Sequence, residues 1–214
     1  PIPPSLSPSS PNLSWGLSQS HGGPCGILAV LQAEMIAAIN FTNEHEEGAR
    51  ERKERFRKTV EGNEGGMEIE EVDELVAEAI AGIIARAGEQ GTNGEGAGAR
   101  IILPSPETPN FPYTSVPFWS PPNSTTTLKS TIKEYLLSSS KSALNHYKGQ
   151  GGILMICMSL VSTRGPAQIK SEMDYPPPDC SFTASFGHCS QELINLLLTG
   201  RCTSNVFDGV VDVG

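Results

Sequence analysis

Cys25 stands directly behind Gly22, Gly23 and Pro24 in the stretch "LSQSHGGPCG" and directly ahead of the apolar run "ILAVLQAEMIAAINF". A thiol becomes a nucleophile when it ionises, and the start of a helix favours the thiolate through its positive dipole end and its unpaired N–H groups. Those same N–H groups can hold the oxyanion formed when a thiolate attacks a carbonyl, so one device serves both activation and transition-state stabilisation. Gln19, six positions upstream of Cys25, brings a side-chain amide that can donate a second hydrogen bond to the oxyanion. Gly22 and Gly23 have no side chains, which lets a substrate backbone approach the sulfur. The competing reading is structural: cysteine is among the most buried residue types, and a cysteine opening an apolar helix is commonly core.

A thiol hydrolase also needs a base, usually an imidazole oriented by a third group. The chain has four histidines. His21 lies just before the turn, but triads assemble from distant segments, so nearness in sequence counts for little. His45 falls in a charged segment and reads as solvated. His146 lies near the end of the third predicted helix, where it suits the negative end of the dipole. His188 precedes Cys189 and, with Cys180 and Cys202, raises the question of zinc. The spacings lack the paired ligands of structural zinc sites, so capping or packing is the preferred role and no metal or other cofactor is expected.

The elements that must position Cys25 are legible from periodicity. Residues 1–14 repeat Pro and Ser and are expected to form a flexible leader ahead of one domain over 15–214. Ile27, Leu28, Val30, Leu31, Met35, Ile36 and Ile39 define a helix buried on most sides, with Pro24 suited to its first turn. Ile69, Val72, Leu75, Val76, Ala79, Ile80, Ile83 and Ile84 define a second helix ending near Gly88, with its polar side in water. "GEQGTNGEGAGA" reads as a loop and "RIILP" as a short strand. Residues 123–127 offer N-caps to a third helix carrying Leu128, Ile132, Tyr135 and Leu136. "GGILMICMSLVSTRG" is a buried element, strand or helix, and Ser190 caps a short helix ending at Gly200. Residues 43–67 and 104–123 read as surface insertions, the first charged, with a loosely held helix as its alternative, and the second an extended Pro-rich connection. Asn205 and Asp208 suit a helix-terminating turn, and Trp15 an anchor for the first ordered turn.

Composition narrows the function class. A formal net charge of -9 argues against a general phosphate-binding surface, and the one basic run, "RERKERFRK", is interleaved with Glu51 and Glu54 as a solvated helical face is. Nucleic acid is therefore not an expected partner. The apolar run "ILMICMSLV" is too short to span a bilayer, and the N-terminal residues lack the basic start and apolar core of a signal peptide, so no membrane association is expected. Five cysteines without a CxxC pair suggest a reducing compartment, the cytoplasm first and the nucleus second. The chain opens on Pro1 and stops at Gly214 inside "NVFDGVVDVG", so it is expected to be a piece of a longer product.

The segment "WGLSQSHGGPCGILAVLQA" resembles the catalytic-cysteine segment of the MINDY deubiquitinases, in the branch with a Gln ahead of a Gly-Gly-Pro-Cys turn. "VDELVAEAIAGIIARAG" resembles that family's next helix, and "GGILMICMSLVSTRG" with "GHCSQELINLLLTGRCTSNVFD" resembles the middle of its domain, in the same order. The resemblance implies a truncated, papain-related α+β cysteine protease fold with its helix-rich N-terminal portion present. It implies cleavage of isopeptide bonds in ubiquitin chains, with the proteasome-targeting linkage type expected, and ubiquitin and polyubiquitin as partners. By position, Cys25 would be the nucleophile and Gln19 the oxyanion-hole donor. The family's histidine lies downstream of the "SNVFD" block, and no histidine in this chain matches it. The fragment alone is therefore expected to be inactive. A non-catalytic ubiquitin-binding protein, or a pseudoenzyme without its base, is the alternative.

Overall fold

A computed structural model of the chain describes residues 7–8, 17–18, 25–41, 48–89, 97–105, 112–121, 127–138, 143–183 and 187–205. Two short strands, β1 (Ser7–Pro8) and β2 (Leu17–Ser18), precede helices α1 (Cys25–Asn40), α2 (Ala49–Glu61) and α3 (Ile69–Glu89). Strands β3 (Ala97–Pro104) and β4 (Tyr113–Ser120) follow, and then helices α4 (Leu128–Leu137), α5 (Ala143–Lys148), α6 (Gly152–Arg164), α7 (Pro166–Glu172) and α8 (Gln191–Thr199). The class is α+β: helices around a two-stranded antiparallel sheet, with β1 and β2 as a separate ladder.

Helix α3 is the centre. Alanines and branched apolar residues give it strong helical propensity, and Glu70 and Glu71 complement the positive end of its dipole. From Leu75 onward it is buried on nearly every side, against α1, α4, α6, α8 and β3. Its acids do not simply face water, as periodicity suggests. Glu78 accepts hydrogen bonds from Lys129 at 3.0 Å and Lys133 at 3.1 Å, both on α4, and Asp73 accepts from Lys148 of α5 at 2.6 Å. Burial works against ionisation of Glu78, but the two lysines win and hold its carboxyl below the usual glutamate range. Small residues let neighbours close in: a Cβ on Gly88 would lie 2.3 Å from the Gly98 carbonyl oxygen of β3.

Residues 104–123 are corrected by the sheet. Tyr113–Ser120 is not a bare connection but a full strand, paired residue for residue with β3 from Ala97↔Ser120 to Pro104↔Tyr113. Pro117, which has no N–H to give a ladder, faces Arg100. The backbone N–H and C=O of Arg100 are taken by Thr163 of α6, at 2.9 Å and 3.2 Å. They point away from β4, so the missing N–H of Pro117 costs this ladder nothing.

The buried element "GGILMICMSLVSTRG" resolves as helix α6, and it closes the open edge of β3. Two positions on from Arg100, the Ile102 N–H donates to Ser159 Oγ at 3.0 Å, and its carbonyl accepts from the Tyr147 hydroxyl at 3.0 Å. Ser159 Oγ also donates to the Met155 carbonyl at 2.7 Å and lies 2.8 Å from the Tyr147 oxygen. Hydroxyls from α5 and α6 thus do for β3 what a third strand would do. Burial pushes the Tyr147 phenol above its ordinary range, which keeps it protonated as a donor.

Residues 43–67 contain the charged helix α2, whose Gly62 turns left-handed (φ +71°) to close it. Arg57 pairs with Glu54 and Glu61 along its surface, and Arg55 reaches Glu71 of α3 at 2.5 Å. Within the expected leader, Ser7 and Pro8 pair antiparallel with Ser18 and Leu17. The expected caps are in place where described: Thr127 accepts the Ser130 N–H ahead of α4, and Ser190 accepts the Leu193 N–H ahead of α8.

Ser159→Ala leaves the buried Ile102 N–H without its acceptor. It should lower the unfolding free energy of the domain by about 1–3 kcal/mol, read as a shift in the urea midpoint at unchanged slope.

Candidate functional site

Helix α1 begins at Cys25 itself, and the thiol is exposed, whereas the core starts two residues later at Ile27. Burial therefore does not account for the cysteine. Gln19, His21, Gly22, Gly23 and Pro24 lie outside the described residues, as do His45, Trp15 and Asp208. The described residues on either side of the 19–24 span are held. On one side, Leu17 packs on the core and its carbonyl accepts from Gln32 Nε2 of α1 at 3.3 Å; on the other, Cys25 opens α1.

The wall beside the thiol comes from residues near and within α8. A Cβ on Gly26 would fall 2.7 Å from Ile194 Cδ1, 2.9 Å from Cys189 Sγ and 3.0 Å from Cys189 Cβ, so a side chain there would have to displace Ile194 and Cys189. Gly26, Cys189 and Ile194 escaped sequence reasoning. The available signal was a glycine in the first turn of an otherwise strong helix, a place where glycine weakens the helix unless something packs there. Burial raises the Cys189 thiol, the N–H groups of Ile27 and Gly26 act to lower it, and the neighbouring Cys25 raises it further. Cys157 of α6, behind it, is pushed up to about 12 by burial and then by Cys189, and Cys202 also to about 12 by burial and then by Glu172. Cys157 and Cys202 are neutral thiols at physiological pH, and none of the five cysteines is in a disulfide.

Helix α8 is fixed from three directions. Arg86 of α3 donates to the Leu197 and Leu198 carbonyls at 3.0 Å and 2.7 Å, and to both carboxylate oxygens of Glu34 on α1 at 2.9 Å and 3.0 Å. Gly200 closes α8 with φ +75°, and a Cβ there would lie 2.4 Å from the Arg86 carbonyl oxygen, so the residue is glycine for both conformation and space. Beyond it, the Cys202 N–H donates to Glu172 at 2.7 Å, and Asn195 Nδ2 donates to the Thr203 carbonyl at 2.7 Å. Glu172 is also paired with Arg164, both side chains being nearly inaccessible.

The described histidines do not complete a catalytic group. His146 lies on the separate short helix α5 rather than at the end of the third helix, and it is exposed. His188 is exposed rather than packed. Among the described residues no group of three or more His, Cys, Asp or Glu side chains could hold a metal, and no helix is long and apolar enough to cross a membrane.

The conserved domain of the deubiquitinating enzymes MINDY-3/4 matches residues 5–214. The chain belongs to this family. A MINDY-4 from Mus musculus, named a probable ubiquitin carboxyl-terminal hydrolase, is 28% identical over 208 residues, which is 94% of the chain and 25% of that protein. Its namesake from Bos taurus is 28% identical over 207 residues, 95% of the chain and 24% of that protein. The ubiquitin carboxyl-terminal hydrolase MINDY-3 of Danio rerio is 37% identical over 78 residues, 36% of the chain and 16% of that protein. The chain thus spans about a quarter of the length of the MINDY-4 relatives that it matches. No solved structure matches it.

In this MINDY-3/4 domain the pH dependence of α8 anchoring follows from Glu172. Burial opposes its ionisation, but Arg164, the Cys202 N–H and Gln168 together hold its carboxyl below the ordinary value of 4.5. A lowered folded value means stability that is present above pH 4.5 and lost as pH falls through that lower value. Glu172→Gln should therefore be least stable relative to the parent near neutral pH, with the gap closing on acidification. Urea midpoints of both proteins between neutral and strongly acidic pH measure this. A gap independent of pH would contradict it.

Proposed function

We propose that this chain carries the nucleophile-bearing part of a cysteine-type deubiquitinase that hydrolyses isopeptide bonds in ubiquitin chains. The observation that carries the reading is the exposed Cys25 at the first position of α1, in a chain whose family membership is with enzymes named for ubiquitin hydrolysis. The α+β arrangement is compatible with a papain-related protease in which a helix N-terminus presents the thiol.

In this mechanism the Cys25 thiolate attacks the carbonyl carbon of ubiquitin's C-terminal glycine. The oxyanion is held by the Cys25 backbone N–H and the Gln19 amide. Collapse breaks the isopeptide bond, and the substrate lysine leaves as a neutral amine after taking a proton from an imidazolium. Water then hydrolyses the thioester, returning the thiol and releasing a carboxylate. Gly22 and Gly23 leave room for ubiquitin's slim Gly-Gly tail. The histidine base belongs to protein outside residues 1–214, in keeping with relatives about four times as long. No cofactor takes part. Polyubiquitin of the proteasome-targeting linkage is the proposed substrate, and the cytoplasm, then the nucleus, the proposed compartment.

A second reading, ubiquitin binding without hydrolysis, is favoured by one observation: both described histidines, His146 and His188, are exposed and neither matches the family's catalytic position. One experiment separates the two. The protein at its natural length is incubated with tetraubiquitin of each linkage type, alongside its Cys25→Ala variant. Hydrolysis of the proteasome-targeting type by the parent and loss of at least a thousandfold in the variant is the expected result. Binding without cleavage by either protein would favour the second reading.

A further inference from the structure

Gly26 lies in the first turn of α1, next in the chain to Cys25 and directly ahead of the fully buried Ile27. Glycine is the weakest helix former after proline, so its place in a helix rich in Ala, Ile and Leu calls for a use of the missing side chain. Neighbours from far along the chain supply that use. Ile194 Cδ1 and the Cys189 side chain crowd the space a Cβ would take, at 2.7 Å for Cδ1, 2.9 Å for Sγ and 3.0 Å for Cys189 Cβ. Carbon atoms in ordinary contact lie about 3.5–4.0 Å apart, so even alanine at this position would force a separation of about 0.5 Å or more.

Which side yields depends on what holds each. The terminal methyl of Ile194 can turn aside, but Cys189 Cβ is one bond from its backbone. That backbone is fixed by the bridge Thr183↔Cys189 and by the Ser190 N–H, which donates to the Phe182 carbonyl at 2.9 Å. Helix α8 follows at once, capped by Ser190 and closed at Gly200 against the Arg86 carbonyl, so it has no room to retreat. The body of α1 is held as well, by the buried Ile27 and Leu31 and by Glu34 on Arg86. The freedom left is at the opening of α1, since helix ends yield at the least cost, and Cys25 is the opening residue. A side chain at position 26 therefore displaces the thiol rather than the wall.

We infer that Gly26 is a positioning residue for the Cys25 nucleophile: its missing side chain lets Cys189 and Ile194 seat against the first turn of α1, and that seat fixes where the Cys25 sulfur and backbone N–H stand. The inference rests on the deubiquitinase reading for its consequence in catalysis; the seat itself is a property of the fold. Gly26 touches no substrate in this account.

The test compares the parent, Gly26→Ala, and Gly26→Ala combined with Cys189→Gly, which reopens the space from the other side. All three are made at the natural length of the protein and assayed where urea curves show each to be folded, so differences in global stability do not enter. Two rates at Cys25 are measured. One is capture by a ubiquitin probe bearing a C-terminal electrophile, resolved into a limiting rate and a half-saturating probe concentration; the other is alkylation by iodoacetamide, located by mass spectrometry. Helix propensity alone predicts that alanine leaves both rates unchanged or improves them. The positioning role predicts that Gly26→Ala lowers the limiting capture rate about tenfold at unchanged half-saturation, because productive geometry tolerates only about 0.5 Å of error. Alkylation should slow about threefold, as the thiolate loses part of its stabilisation by the helix start. The double variant should recover most of both losses. Equal rates in the parent and Gly26→Ala would overturn the inference, as would a double variant no faster than Gly26→Ala. The alkylation pattern with no capture by the parent would leave the hold on the thiol standing and count against the deubiquitinase reading instead.

Discussion

Arg86 lies near the end of α3, and its guanidinium donates at once to the Glu34 carboxylate on α1 and to the closing carbonyls of α8. The planar fork of arginine allows this, since one terminal nitrogen meets both oxygens of the carboxylate while the other reaches the two carbonyls. The ion pair itself is partly solvated and contributes modestly. Its importance is geometric: α1 carries Cys25, α8 carries the wall beside it, and Arg86 sets their separation from the most buried helix in the molecule. Gly200, pressed on the carbonyl of the same residue, leaves no slack in that arrangement.

A two-stranded sheet exposes two edges, and on one of them this fold replaces the missing strand by side chains. Thr163 and Ser159 lie four residues apart on α6, one helical turn, and so meet alternate residues of β3, Arg100 and Ile102. Tyr147 adds the remaining donor. The helix therefore packs through Ile153, Ile156 and Leu160 while its hydroxyls satisfy backbone that would otherwise be buried unpaired. This makes α6 more than a filler of core volume, because its axial position is fixed by directional bonds to β3.

What the sequence revealed follows from which forces act locally. The helices α1, α3, α4 and α8 were readable from apolar spacing and from their caps, because these are contacts within a few residues: Thr127 with Ser130, Ser190 with Leu193. Strand β4 was not, since the Pro-rich run around it read as a connection, and what admits Pro117 there is a pairing parity that only the partner strand defines. The type of α6 was undecidable because apolar residues surround it on all sides. At the site, Cys25 stood out through local composition. Gly26, Cys189 and Ile194 did not, since their relation spans more than 160 residues and appears in sequence only as one glycine in a helical first turn. The resemblance carried by "GGPCG" and "LINLLLTGR" is what extended the reading from a reactive thiol to ubiquitin.

The domain thus presents a thiol at the end of a rigid helix, backed by neutral sulfurs and braced by α8, in a family of deubiquitinating enzymes. The proposed mechanism makes Cys25 Sγ the atom that meets ubiquitin's C-terminus. The most direct measurement is peptide mapping by mass spectrometry after the natural-length protein reacts with ubiquitin whose C-terminal carboxylate is replaced by an electrophile. A single stoichiometric adduct on Cys25 that disappears in Cys25→Ala is the expected result. An adduct on another cysteine, or undiminished labelling of the Cys25→Ala protein, would contradict it.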